Sequence, residues 1–201
     1  MGTNIQDIFD SAKEASNFRD RMAIILSGIK KHTGFECVGI RLKNKGGDYP
    51  YFVNTGFPED FIEAENSLCS RDKDDNIIRE SNGNPALECM CGNIIRSRFD
   101  SSLPFFTEEG SFWANSTTEL LASTTERERQ SRTRNTCNAS GYESVGLFPL
   151  TFNLEIFGLL QLNDHKKNMF SEDKVLEYEL FARKITDAVY YAMLSKEYNE
   201  K

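Results

Sequence analysis

The sequence predicts an α+β domain, a central antiparallel sheet with the N- and C-terminal helices packed together on one face. Three observations carry this. Apolar residues recur at three- and four-residue spacing over residues 5–29 and again over 175–193. Two apolar runs, 144–150 and 156–162, stand almost adjacent late in the chain. An early strand–turn–strand pattern spans residues 36–53. The two late runs exclude an all-α chain. The lack of G-x-G-x-x-G and of repeated strand–helix alternation excludes a doubly wound nucleotide fold.

Each element follows from local pattern. Ile5, Ile8, Ala12, Ala15, Met22, Ile25 and Ile29, with Phe9, Phe18 and Leu26 alongside, predict one amphipathic helix over residues 4–32. It stops at Thr33 and Gly34, glycine being favoured just past a helix end. The stripe is longer than a sheet cover requires, so part of it is expected to meet a second subunit. Cys37, Val38, Gly39 and Ile40 lie in a strand over 36–42, Lys45 to Asp48 form a turn, and 49–53 return. Residues 56–60 open a short helix with Pro58 near its first turn.

Residues 66–100 are irregular, with polar turns at 71–76 and 80–85. The first resembles a calcium loop superficially, but Ile77 stands where the tight turn demands glycine and Gly83 where glutamate is needed. Residues 91–95 start a short helix, and 99–113 are rich in aromatics. Residues 119–134 are polar, any helix there being a surface one, and 125–134 hold four arginines against two glutamates. The two late runs are apolar almost without alternation, as strands covered on both faces are. Ser171 is the predicted N-cap of the last helix, with Glu172 and Asp173 suited to its N-terminus. The stripe of that helix is Val175, Leu176, Phe181, Ile185, Ala188, Val189, Ala192 and Met193.

Bulk properties narrow the function. With 201 residues and 39% of them hydrophobic, the chain has material for one core. Its net charge of -7, from 24 basic against 31 acidic residues, opposes a nucleic-acid partner. No apolar window approaches membrane-spanning length, and the first ten residues lack the basic and apolar regions of a signal peptide. A cytoplasmic chain is expected, with no direct membrane insertion. There the five cysteines read as thiols, ligands or core residues rather than as disulfides.

Four segments in order resemble a GAF domain, the ligand-sensing relative of PAS: 34–42 (GFECVGIRL), 141–150 (GYESVGLFPL), 156–163 (IFGLLQLN) and 170–173 (FSED) leading into the last helix. The resemblance covers residues 18–194, leaving 1–17 as an N-terminal helical extension and 195–201 as a C-terminal tail. Segments 64–69 (AENSLC), 87–93 (LECMCGN) and 112–121 (FWANSTTELL) are similar to those of GAF domains in archaeal and bacterial multi-domain sensor histidine kinases. The resemblance implies a sensory module of a two-component signal-transduction protein, without kinase catalysis in this chain. It implies a homodimer through the terminal helices, neighbouring signalling domains and a small-molecule ligand. His32 and His165 read as surface residues rather than phosphoacceptors. In GAF domains the ligand lies between the sheet and the irregular middle, so Phe112, Trp113, Asn115, Thr117 and Glu119 are the expected pocket residues. The Asn-Lys-Phe-Asp signature of cyclic-nucleotide binders is missing.

The cysteines offer further chemistry. In extended chain Cys89 and Cys91 share one face, so both sulfurs can approach one metal. Cys69 and Cys137 would complete a four-sulfur site for zinc or an iron–sulfur cluster. The spacing is not that of a standard zinc finger, and buried small hydrophobes with loop thiols are the plain alternative. Cys37 reads as core. Resemblance to archaeal kinase sensors also implies haem held through a cysteine, although no C-x-x-C-H is present. An enzymatic alternative comes from free methionine-(R)-sulfoxide reductases, which Cys91-Gly92 and residues 137–143 resemble. There Cys137 would attack the sulfoxide sulfur and Cys91 would resolve the sulfenic acid. Glu143 and Asp164 would match acidic substrate-binding positions and join the pocket list. A structural dimerisation domain without ligand is the third reading.

Overall fold

The computed structural model describes residues 4–130 and 134–195. Apart from Ser195, the expected C-terminal tail lies outside the described residues, as do the first three residues of the N-terminal extension. The predicted helix over 4–32 is two helices, α1 (Ile5–Asp10) and α2 (Phe18–Thr33). The break has a local cause. Asn17 is extended and its side chain accepts from the Asp20 N–H, while Ser16 Oγ and Asn17 Nδ2 each donate to the Asp20 carboxylate at 2.8 Å. These bonds compete with continuing the helix and start a new one. The periodicity survives because Ile8 and Ala12 pack into the same core as Met22, Ile25 and Ile29. Gly34 closes α2 at φ 75°, where a side chain would be strained.

The hairpin follows as β1 (Cys37–Leu42) and β2 (Tyr51–Thr55), then α3 (Glu59–Glu65), whose N-cap is Pro58. The irregular middle contains α4 (Cys89–Ile95), β3 (Phe112–Ala114), α5 (Thr117–Ser123) and α6 (Thr136–Ala139). The surface helix α5 starts before Glu119, because Ser116 caps it by accepting from the Glu119 N–H, and it ends well short of Arg134. The late runs are β4 (Ser144–Phe152) and β5 (Glu155–Asp164), and α7 (Glu172–Leu194) closes the fold. Ser171 holds the N-cap position of α7, but its side chain makes no capping hydrogen bond.

Among the described residues the strands form one antiparallel sheet in the order β2-β1-β5-β4-β3. The two late runs therefore occupy its middle, as their apolar character predicts. Strand alternation divides their residues between two cores. Val38, Ile40 and Leu42 of β1, Phe148 and Leu150 of β4, and Leu160 and Leu162 of β5 face the core shared with α1, α2 and α7. Cys37, Val145, Leu147 and Leu159 face a second core beneath the irregular middle.

On α7 the buried line is Val175, Tyr178, Ala182, Ile185, Val189 and Ala192, with Phe181 beside it. Leu176 and Met193, expected in that stripe, are exposed, because one residue's step rotates a side chain about 100° from the buried line. Buried Glu179 of α7 reaches past the sheet edge and accepts from Thr107 Oγ1 at 2.7 Å and Ser111 Oγ at 2.8 Å. All five cysteines are free thiols. Among the described residues no helix is long and apolar enough to cross a membrane.

Candidate functional site

On the sheet face opposite α7 a cavity of about 50 Å³ lies between the sheet and the irregular middle. Phe112 of β3 with Val145 and Leu147 of β4 form its floor. Cys89, Met90 and Cys91 of α4, Thr117, Leu120 and Leu121 of α5, and Cys137 and Asn138 of α6 form its walls. Asn135 and Arg129 complete the lining. The apolar surface with few polar groups is the usual character of a small-molecule site.

Cys89 and Cys91 face the same cavity from the first turn of α4. The two thiols are hydrogen-bonded and share their protons unequally. The hydrogen bond from Cys91 pulls the Cys89 thiol down to about 7, with help from Arg134 and the Met90 N–H against burial. The same bond, together with burial, holds Cys91 well above the ordinary thiol range. Arg134 is held over this end of α4 by Glu65 at 3.6 Å and Glu88 at 3.7 Å. Cys89 also has φ 65°, a left-handed conformation that costs an ordinary residue roughly 1–3 kcal/mol.

Cys137 meets the cavity from the opposite wall. Asn163 Nδ2 donates to its sulfur at 3.5 Å, and burial pushes its thiol up to about 12. Asn163 belongs to a chain of buried amides. Gln161 Nε2 donates to Asn163 Oδ1 at 3.1 Å, while Gln161 Oε1 accepts from Tyr51 Oη at 2.9 Å and Arg41 Nε at 3.3 Å. Arg41 is fully buried in β1 and ties the entry to β2 to the end of α3. Its Nη groups donate to the carbonyls of Tyr49 at 3.0 Å and Glu65 at 2.8 Å, and the Tyr51 ring covers it at 3.7 Å. Gly39 permits that cover, since a Cβ there would stand 2.7 Å from the Tyr51 ring.

The structure distributes the sequence-predicted residues unevenly. It gathers Phe112, Thr117, Cys89, Cys91 and Cys137 around one cavity. Trp113 turns to the other face of β3 and packs on Phe170. With Asn115 and Glu119 it lines an open groove outside α5. Asn115 clamps the Phe170 backbone, donating to its carbonyl at 3.1 Å and accepting from its N–H at 2.9 Å. Glu119 is exposed and paired with Lys167 at 2.8 Å.

Glu143 accepts from Ser116 Oγ at 2.8 Å and Thr118 Oγ1 at 2.7 Å at the start of α5. Asp164 is buried and accepts from the N–H groups of Glu36 at 3.0 Å and Lys166 at 2.8 Å. Cys69 is buried, with Asp48 and Ser67 as its polar neighbours, and burial pushes its thiol up to about 11. Among the described residues no group of three or more His, Cys, Asp or Glu is arranged to hold a metal ion. Cys37 is core, against Tyr142 Oη at 3.4 Å. His32 pairs with Glu177 at 2.8 Å and His165 with Glu36 at 2.6 Å.

Sequence reasoning missed Arg41, Gln161, Asn163 and Arg129 at this site. Arg41 inside an apolar strand and the arginine cluster over 125–134 were the available signals.

No family model and no curated protein matches the sequence. Solved structures match the fold. The GAF domain of a phosphoenolpyruvate-protein phosphotransferase from Coxiella burnetii superposes with a TM-score of 0.64 at 10% identity, over 96% of this chain and 95% of that one. A free methionine-R-sulfoxide reductase from Neisseria meningitidis, solved with its substrate, gives 0.62 at 12% identity over 95% and 89%. A domain of a two-component sensor histidine kinase protein from Sinorhizobium meliloti gives 0.52 at 12% identity over 94% and 92%. The fold is GAF-like, and it is shared by sensory domains and redox enzymes alike.

Proposed function

We propose that this chain is the small-molecule sensing module of a signal-transduction protein of the histidine-kinase type, acting in the cytoplasm as a homodimer through its terminal helices. The observation that carries this reading is where the cavity lies. Its walls are α4, α5 and α6, none longer than seven residues, while the long α7 lies across the opposite face of the same sheet. Short helices joined by irregular chain are the part of a fold whose packing a ligand shifts most readily. Two connections run from there to α7: the alternating residues of β4, and Glu179 bonded to Thr107 and Ser111. A ligand preferring one arrangement of the walls would bias the setting of α7 and of the domains beyond it. Free thiols at all five cysteines suit a reducing compartment.

A second reading, a free methionine-R-sulfoxide reductase, has one observation in its favour: Cys91 and Cys137 line one cavity. The electrostatics oppose it. The nucleophile must be a thiolate, yet burial pushes Cys137 up to about 12, and Glu143 and Asp164 are engaged in caps away from the cavity. One experiment separates the readings. Freshly reduced protein is mixed with free methionine-R-sulfoxide and dithiothreitol and assayed for methionine. It is also melted against a fragment set of neutral, cationic and anionic compounds. The sensing reading expects no methionine and at least one stabilising fragment, lost when Leu147→Trp fills the cavity. Catalytic turnover, or no stabilisation by any fragment, overturns it.

A further inference from the structure

We propose that the cavity takes a small, neutral, apolar molecule that carries no hydrogen-bonding group, a step that rests on the ligand-binding reading above and names its ligand class. The cavity exposes carbon and sulfur and almost no nitrogen or oxygen. The residue types alone do not dictate this, since Thr117, Arg129 and Asn138 all line it. Each of the three has its polar end tied elsewhere. Thr117 Oγ1 donates to the Tyr142 carbonyl at 2.6 Å. Asn138 Nδ2 donates to the hydroxyls of Thr117 at 3.0 Å and Thr118 at 2.9 Å. Arg129 Nη1 donates to Thr124 O at 2.6 Å and Oγ1 at 2.7 Å, with the Glu128 carboxylate as a nearby opposite charge. The thiols are engaged as well: Cys91 with Cys89, and Cys137 with Asn163 Nδ2 at 3.5 Å.

The result is a recess that water occupies poorly, because a water held inside a protein needs two to four polar partners. An apolar ligand gives up no hydrogen bonds on entering and gains dispersion contacts with the wall. The wall thiols and the Met90 thioether are polarisable, which strengthens such contacts. A carboxylate, an ammonium or an alcohol would lose its hydration without replacement bonds. The floor and the α4 wall are buried, whereas Leu120, Leu121 and Cys137 are half-buried, which puts the mouth at α5 and α6. Size sets the other limit. A volume of about 50 Å³, at about 10–15 Å³ for each water-sized body, holds roughly three to five non-hydrogen atoms.

The test titrates propane and xenon into the intact, freshly reduced chain, with ethanol, acetamide and acetate as polar counterparts of similar size and toluene as an oversized apolar one. Melting temperature and the methyl signals of Met90, Leu120, Val145 and Leu147 in ¹H–¹³C spectra are read. At tenfold excess over its Kd, propane is expected to raise the melting temperature by about 4 °C. Propane and xenon should both move those four methyl signals, while the polar compounds and toluene leave them in place. Leu147→Trp should weaken propane at least tenfold. Val145→Thr, which keeps the volume and adds a hydroxyl, should weaken it severalfold. Ethanol or acetate binding as tightly as propane, or propane binding that leaves the four methyl signals unmoved, overturns the proposal even if neither variant folds. Binding of polar or charged fragments alone also overturns it but leaves the ligand-binding reading standing, whereas failure of every compound removes both.

Discussion

Cys89 combines a left-handed backbone, burial and a thiol held down at about 7 by its hydrogen bond with Cys91. The pH consequence has a definite sign. An acid whose folded pKa lies below the ordinary thiol value of 9.0 stabilises the fold above that value and loses the contribution as pH falls through about 7. Cys91 and Cys137 are raised and act oppositely, destabilising the fold once pH climbs past the same 9.0. The urea midpoint should therefore rise from pH 7 to 9 and fall beyond it. Cys89→Ser should abolish the rise, together with a thiolate absorbance step at 240 nm centred near 7. A step that persists in that variant contradicts the assignment. Residue type alone offered Cys69, Cys89, Cys91 and Cys137 as one group; that Cys137 meets Cys89 and Cys91 at the cavity while Cys69 lies apart beside Asp48 and Ser67 was not legible, because the spans between the cysteines leave their distances to the fold. Arg129 and Arg41 were illegible for another reason: composition places arginine outside, and only the packing of neighbouring elements shows which ones turn in.

At the scale of elements, the break between α1 and α2 shows what periodicity does and does not report. The stripe from Ile5 to Ile29 identified the buried face correctly, since both helices pack on one core. It carried no information on continuity, which resides in the polar residues Ser16, Asn17 and Asp20. Asn17→Ala removes the cap and should cost about 1 kcal/mol, read as a lower urea midpoint with unchanged slope. An unchanged midpoint would show that the core alone positions α2. The sheet was legible because strand patterning and burial coincide. The middle segment was not, since its short helices are set by caps such as Ser116 and by single side-chain ties such as Asn93 to the Arg129 carbonyl.

For the whole molecule, α7 presents an outward line that the fold leaves uncovered: Leu176, Leu180, Tyr191 and Leu194 are 61%, 45%, 70% and 62% exposed. Their spacing of four, eleven and three keeps them on one side of the helix, opposite the buried line. The proposed homodimer would cover them. Light scattering should give twice the chain mass at micromolar concentration, and Leu180→Glu should give a folded monomer with an unchanged circular-dichroism spectrum and a melting temperature that no longer depends on concentration. A wild-type monomer over the same range argues against pairing through α7.

The alternation of the three central strands has a consequence for how such a molecule changes over generations. Over residues 37–42 of β1, 145–148 of β4 and 159–163 of β5 the odd-numbered residues, among them Arg41, Leu147, Gln161 and Asn163, belong to the cavity side, and the even-numbered ones, among them Ile40, Phe148 and Leu162, to the helix side. Under the proposed sensing function, substitutions at one parity would retune what is recognised, and those at the other how recognition is relayed. A lineage of such sensors could then exchange its stimulus while inheriting its output machinery intact.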